Sequence, residues 1–562
     1  MKSLTTFLLT IFTCTTAFAQ IELRIIDACE KLKRDAALPA HASFFETRSQ
    51  TVHLAGAKNE VLAFQIILVS NQKAENLNFQ TTYLVGKNGV IHFNQIEFFR
   101  AWYLNVTEPS TAMYGNPSST GPGWYPDPLL PFATAAGAVG APFVLEPGQL
   151  QSVWVDLYIP PETAAGKFSG RIQLLKNEIE LTKINVELEV WDFALPDTTH
   201  LATFFYFGPE QLRLAHGLTK STPSAEAMNL AYLRLAHTHR INLATDIHFS
   251  ENPAYFETNW SPVLDGTAFT DGPGKGVGSA IWPVRISIWD GKAHFQQEAE
   301  TTMNFFTQHG WTDKPFLYVI DEPGEDEYPE VRKVGGWLDD TPFPGNLLPF
   351  MLTEPFSPDL AGYVDIWNSG RIQSQEIQQR QASHDQFWTY NGGQPGSGSQ
   401  CIDTDGWALR SWPWIAWKGN RAAWHYWDCC YFRDRANGRG EINVWENPLT
   451  FDQRPKNDVD WGNGDGTLFY PGQQVNFGTH FFPGPVSSFR MKAFRQGMQD
   501  YEYLWLARQR ATPEQIEAIV NQVIPHPVLG DAQPGQTCYV QSAEPWARAR
   551  QELAKLILAK RK

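Results

Sequence analysis

The sequence predicts a β-sandwich followed by a (β/α)8 barrel and a short helical extension. Three observations predict it. Apolar and polar side chains alternate with a period of two up to about residue 195. Helix-period and strand-period segments then alternate over roughly 300 residues, the pattern of a β/α barrel. The chain has 562 residues, more than one hydrophobic core organises.

In the first part, Ile184, Val186, Leu188 and Val190 alternate with Lys183, Asn185, Glu187 and Glu189. Val153, Val155, Leu157 and Ile159 repeat the pattern. Each run presents one apolar and one polar face. Turn clusters such as Gly86-Lys87-Asn88-Gly89 and Pro160-Pro161 separate the runs, as in a sandwich. Residues 121–131 are so rich in Pro that they read as a loop.

The pattern changes after Leu195-Pro196-Asp197. Met228, Ala231, Tyr232 and Leu235 recur at helical spacing. Residues 241–244, 282–289 and 315–320 read as strands, and 297–309 as a helix. No Gly-rich phosphate fingerprint follows any strand, which disfavours an open dinucleotide-binding sheet. In the tail, Trp546, Ala549, Leu553 and Leu556 form one apolar stripe that predicts a helix packed on the barrel. The expected division is 1–19 leader, 20–195 sandwich, 196–515 barrel and 516–562 helical segment.

Composition narrows the function. The formal charge is −15, from 60 acidic and 45 basic residues, so a nucleic-acid partner is not expected. Lys2, the short apolar stretch 4–12 and Ala17-Phe18-Ala19 have the form of a signal peptide cut near Ala19, predicting export to the periplasm or beyond. No other stretch has the length of a membrane span. Five cysteines follow the leader, an odd number, and none has zinc-ligand spacing, so neither a metal nor another cofactor is expected. The 21 Trp and 18 Tyr suit sugars, whose apolar C–H faces stack on flat rings, although any single Trp is more often core.

The stretch 316–323 carries the most chemistry. An apolar strand ends in Asp321 and Glu322 and is stopped by Pro323. Catalytic groups of a β/α barrel sit at such strand ends, although acids before a Pro also serve as solvated loop or capping groups. A retaining glycosidase holds its carboxyls ~5–5.5 Å apart across the scissile bond and an inverting one ~6.5–9.5 Å apart. Consecutive residues, with Cα atoms ~3.8 Å apart, rarely flank a sugar in that way. They suit a substrate that carries its own nucleophile. A 2-acetamido oxygen attacks the anomeric carbon, one carboxylate orients the acetamido N–H, and the other serves as general acid and then base.

Several stretches in shared order resemble glycoside hydrolase family 123, the β-N-acetylgalactosaminidases and their homologues. They are Gly123-Trp124-Tyr125-Pro126-Asp127-Pro128, Val153-Trp154-Val155-Asp156, Ala164-Ala165-Gly166-Lys167-Phe168-Ser169-Gly170, Val190-Trp191-Asp192-Phe193, His239-Arg240-Ile241-Asn242, Asp321-Glu322-Pro323, Gly464-Asp465-Gly466 and Gln499-Asp500-Tyr501-Glu502. The resemblance covers residues 50–510. It implies a sandwich, a barrel and retaining, substrate-assisted hydrolysis of a glycan. By position it makes Asp321 the acetamido-orienting acid and Glu322 the general acid/base, and it suggests Tyr390 as a partner of the acetamido oxygen.

Further substrate-binding candidates are Trp388, Trp427, Trp367, Asn242 and Arg240. A core role for Tyr390, and a tie across the barrel base for Arg240, compete with binding. Asp500 and Glu502 fall in a predicted helix and read as surface or structural acids. Residues 463–466 read as a turn. Two other functions remain open: a glycosidase of the same fold for another sugar, using Asp246, Asp290 or Asp365, and a glycan-binding protein without catalysis.

Overall fold

The computed structural model of the protein describes residues 21–115, 120–246, 249, 252–380 and 382–559. The leader lies outside the described residues, as do Lys560, Arg561 and Lys562 of the tail.

Period-two alternation builds the N-terminal part as two facing sheets. One holds Ile21–Asp27, Glu60–Ser70, Gln151–Ile159, Ile96–Val106 and Gly123–Pro131 in that spatial order, all antiparallel. The other runs Phe143–Leu145, Ala74–Thr81, Gly166–Lys176, Ile179–Ala194, Thr51–Lys58 and Phe45–Glu46. Val153, Val155, Leu157 and Ile159 from the first sheet share one core with Ile184, Val186, Leu188 and Val190 from the second. Gly123–Pro131 is a strand and not the loop its prolines suggested. It lies at a sheet edge, with a ladder to Ile96–Val106 on one side and only a single bridge, Pro128 to Ser488, besides, so its prolines break no second ladder.

The C-terminal part is a curled parallel sheet with helices between its strands. Six strands neighbour one another in the order Leu243–Ala244, Ala202–Tyr206, Ala423–Tyr426, Gln386–Tyr390, Ile366–Asn368 and Met351–Leu352. A parallel bridge from Phe350 to Leu317 continues the order to Pro315–Leu317, which pairs with Trp282–Val284. Among the described residues no ladder joins Trp282–Val284 back to Leu243–Ala244. The expected closed (β/α)8 barrel is therefore seen as an open, curled sheet.

Several ladders are shorter than the apolar runs. The run at 282–289 pairs over Trp282–Val284 and ends in a turn where Glu298 accepts the Ser287 N–H. The run at 315–320 pairs over Pro315–Leu317 and then continues toward the two acids. The helix expected at 297–309 starts earlier and spans Lys292–Gln308. Three hairpins after the last parallel strand, Arg433–Asp434 with Gly440–Glu441, Leu449–Asp452 with Trp461–Asn463, and Phe469–Gln474 with Thr479–Ser487, interrupt the alternation.

Buried charge ties the two parts together. Helix Phe489–Ala507 is capped by Ser488, whose Oγ accepts the Met491 N–H at 3.1 Å. Its Arg490 pairs at 2.8 Å with Asp127 of the sandwich edge strand, both buried. Lys492 and Arg495 both hold Asp156 of Gln151–Ile159 at 2.5 Å. Burial alone would raise the Asp156 carboxyl, but the charges of Arg495 and Lys492 outweigh it and hold it well below the usual range. The C-terminal helix Ala543–Leu558 buries Trp546, Ala549, Leu553 and Ile557, with Trp546 edge-on to Trp414. Its Arg550 reaches Glu60 of the sandwich at 2.5 Å. Asp500 and Glu502 are buried structural acids, paired with Arg410 at 2.9 Å and His200 at 2.6 Å. Cys29, Cys401, Cys429, Cys430 and Cys538 are all free and buried.

Candidate active site

Parallel strands bring their carboxyl ends to one side of a sheet, and three of them supply the site. Pro315–Leu317 leads through Tyr318 to Asp321 and Glu322. Met351–Leu352 ends at Thr353. Gln386–Tyr390 ends at the phenol the sequence singled out.

One hydroxyl locks the two acids together. Thr353 Oγ1 accepts the Glu322 N–H at 2.7 Å and donates to Asp321 Oδ1 at 2.7 Å. The Tyr318 hydroxyl donates to the same Oδ1, also at 2.7 Å. Glu322 adopts φ 45°, a left-handed conformation that costs a non-Gly residue about 1–3 kcal/mol. That conformation breaks the strand alternation that would send neighbouring side chains to opposite faces.

Glu322 lines a cavity of about 680 Å³ with Thr353, Glu354, Arg371, Tyr390, Asn391, Gln400 and Tyr114. Its carboxyl is raised, first by burial and then by the negative charge of Asp321, against the opposing Tyr390 hydrogen bond and Arg371 charge. A raised carboxyl keeps its proton to higher pH, as a general acid requires. The Tyr390 phenol is pushed well above its ordinary value by burial and then by Asp321 and Glu322. Burial, Tyr390 and Asp321 do the same to Tyr318. Both remain hydrogen-bond donors through the neutral range.

The floor of the site is an aromatic stack. His425 lies against Tyr390 at 4.8 Å and Phe204 at 4.4 Å, and edge-on to Tyr318 at 5.8 Å. Burial lowers it to about 3, so it is neutral. Its Nδ1 lies 2.7 Å from the Asn368 amide, a hydrogen-bonded pair. Beside this stack, Asp465 accepts from Tyr114 at 2.7 Å, Gln400 at 3.2 Å and Trp427 Nε1 at 3.0 Å. The Tyr426 hydroxyl donates to it as well, at 3.3 Å, so the turn at 463–466 conceals a buried acceptor that positions four side chains.

The other candidates divide. Trp427 is half-buried against Tyr431 and Phe451, and its backbone N–H meets Asn391 of the cavity wall. Trp388 and Trp367 are corrected: both are fully buried, packed edge-on to Phe316 and Phe356, and offer no face to a sugar. Arg240 and Asn242 are corrected too. They precede strand Leu243–Ala244 at its amino end, away from the acids. Buried Arg240 donates to the carbonyls of Pro196 and Asn59, which makes it the tie at the base. Asp365 likewise sits at an amino end, accepting the Phe350 N–H. Exposed Asp290 binds Ser287, and Asp246 pairs with Arg285 at 2.7 Å.

Sequence reasoning missed Thr353, Tyr318, Arg371, Asn391, His425 and Asp465. The signal available was a polar residue at the end of each short apolar run, as in Met351-Leu352-Thr353. It also missed Asp428, which burial raises to about 8 even though the Cys430 and Cys429 N–H groups favour its anion. Among the described residues, no group of three or more His, Cys, Asp or Glu side chains could hold a metal ion, and no helix is long and apolar enough to cross a membrane.

Paired acids at the carboxyl end of a parallel strand, beside a cavity of hydroxyl, amide and aromatic groups, are an arrangement that suits a glycoside hydrolase. The comparisons with known proteins specify which. The model of the glycoside hydrolase 123 N-terminal domain matches residues 40–176, and that of the glycoside hydrolase 123 catalytic domain matches 293–507. The chain belongs to glycoside hydrolase family 123, and Asp321, Glu322 and Tyr390 fall within the catalytic match.

Its fold is similar to that of a family 123 glycoside hydrolase from Clostridium perfringens, solved in a study of glycolipid glycan hydrolysis. The TM-score is 0.65 at 13% identity, over 96% of this chain and 97% of that one. A family 39 glycoside hydrolase from Bacteroides cellulosilyticus (TM-score 0.28, 8% identity, 65% of this chain and 76% of that one) is too distant to inform the fold. A comparison with curated proteins finds no match.

Proposed function

We propose that the protein is exported, loses residues 1–19, and removes β-linked N-acetylhexosamine, N-acetylgalactosamine first among candidates, by retaining, substrate-assisted hydrolysis. The observation that carries this reading is the Thr353 bridge between two adjacent acids in unlike environments. Asp321, fixed by two hydroxyls, orients and stabilises the substrate's acetamido N–H while its oxygen attacks the anomeric carbon. Glu322, raised and lining the cavity, gives its proton to the leaving oxygen and later takes one from water. Tyr390 donates to the acetamido oxygen. Trp427 offers a wall. The division 20–195, 196–515 and 516–562, with the parallel strands acting as a (β/α)8 barrel, is part of the same proposal.

Aryl β-N-acetylgalactosaminide, β-N-acetylglucosaminide and neutral β-galactoside substrates test it. Hydrolysis of an acetamido sugar is expected, with Glu322→Gln losing about 10²–10⁴-fold on poor leaving groups and far less on activated ones. Fast cleavage of the neutral galactoside would refute acetamido assistance. Binding of glycans with no release of sugar would refute catalysis.

A further inference from the structure

A second cleft lies in the sandwich, walled by strands of its five-stranded sheet and the loop after Phe143–Leu145. It has a volume of about 330 Å³, and its lining includes Arg34, Arg100, Trp102, Trp124 and Gln149. Two guanidinium side chains line it. Neither Arg34 nor Arg100 makes an ion pair or a side-chain hydrogen bond among the described residues. Arg34 lies flat on Trp124, its Cζ 3.7 Å from the ring centre. Arg100 approaches Trp102 at 6.0 Å, and its buried Nε has no hydrogen-bond partner.

A buried donor on a half-buried cation is costly unless something fills it. Burial lowers the Arg100 guanidinium, and no nearby carboxylate offsets the effect. Burial acts on Arg34 likewise, opposed by Tyr103 and then by its chain neighbour Asp35. Glu146 also lines the cleft, but it is exposed and outside ion-pair distance of both arginines. The planar fork of a guanidinium matches sulfate and carboxylate oxygens. Indole rings and the Gln149 amide suit the apolar faces and hydroxyls of a sugar. A net charge of −15 repels polyanions in general, so an anion held here is held by local fit.

We infer that this cleft binds an oxyanion-bearing saccharide, a sulfate ester or uronate of a glycan, through Arg34 and Arg100, apart from the cavity of Glu322. The inference is independent of the catalytic reading. It is tested by calorimetry of the full chain with a sulfated galacto-oligosaccharide, an oligogalacturonate, a neutral galacto-oligosaccharide and inorganic sulfate.

Binding of one or both charged oligosaccharides is expected, with the neutral one at least about tenfold weaker. Arg34→Gln with Arg100→Gln should abolish that binding and leave aryl-glycoside hydrolysis unchanged. Arg100→Lys, which keeps the charge and loses the fork, should fall between. If the double variant unfolds, the wild type still decides: affinity must drop steeply between 0.05 and 0.5 M salt, by roughly an order of magnitude. Equal affinity for neutral and charged oligosaccharides, no binding of any probe, or full binding by the folded double variant overturns the inference. Binding of inorganic sulfate with no saccharide bound reduces the cleft to a simple anion trap and also overturns it.

Discussion

Replacing Thr353 by Val isolates the bridge between the two acids without changing the volume of the side chain. Val keeps the shape of Thr but neither accepts the Glu322 N–H nor donates to Asp321 Oδ1. The Glu322 N–H loses its partner, which costs about 0.5–1.5 kcal/mol of stability. Asp321 keeps the Tyr318 hydroxyl and loses one of two charge-assisted bonds, each worth about 1.5–3 kcal/mol. If about half of that held the carboxylate in its reactive pose, kcat falls about 4–13-fold. The assay is steady-state hydrolysis of a series of aryl β-N-acetylgalactosaminides, with thermal melting alongside. On the proposal that Asp321 assists attack by the substrate's own oxygen, the loss should be nearly the same for good and poor leaving groups, unlike that of Glu322→Gln. A variant that melts at lower temperature yet keeps kcat within twofold of the wild type would show the bridge to be mere scaffolding, and the reasoning would fail.

Other outcomes follow from the same geometry. Asp321→Asn removes a negative charge that raises Glu322, so the alkaline limb of kcat should move to lower pH, as read from the pH–rate profile with an activated substrate. Asp428 is raised to about 8 in the folded protein from 3.8, so its contribution is fully present below about pH 4 and is lost as pH rises toward 8. Asp428→Asn should flatten that decline in urea melts; an identical slope in both proteins counts against a buried, neutral acid. The five described cysteines are buried, and burial raises each thiol. Native protein should therefore label slowly with a thiol reagent. Unfolded mature protein should release five equivalents if the leader with Cys14 has been removed and six if it has not.

Legibility of the sequence tracked how local each signal was. The strands at 153–159 and 184–190 declare themselves because alternation is written into consecutive residues. The edge strand Gly123–Pro131 did not, because its place at the margin of a sheet is a tertiary fact that overrides its prolines. Asp321 and Glu322 were readable as a pair at the end of an apolar run. Thr353 and His425, which hold and floor that site, come from strands tens of residues away, and nothing in the short run around either announces its partner. The tryptophans show the opposite failure. Trp367 and Trp388 sit beside strand ends in sequence, but both lie buried within their strands, whereas Tyr390, on the same face as Trp388 and at the carboxyl end of that strand, reaches the cavity.

Arg490, Lys492 and Arg495 rise from one helix of the C-terminal part into carboxylates supplied by the sandwich. Cutting the chain near residue 195 would strip three interior cations of their counter-ions at once, and separating a single such pair costs about 3–5 kcal/mol. A truncated catalytic half would have to repack that helix or come apart. The sandwich is thus a counter-ion shell for the helix behind the catalytic sheet, and no detachable accessory.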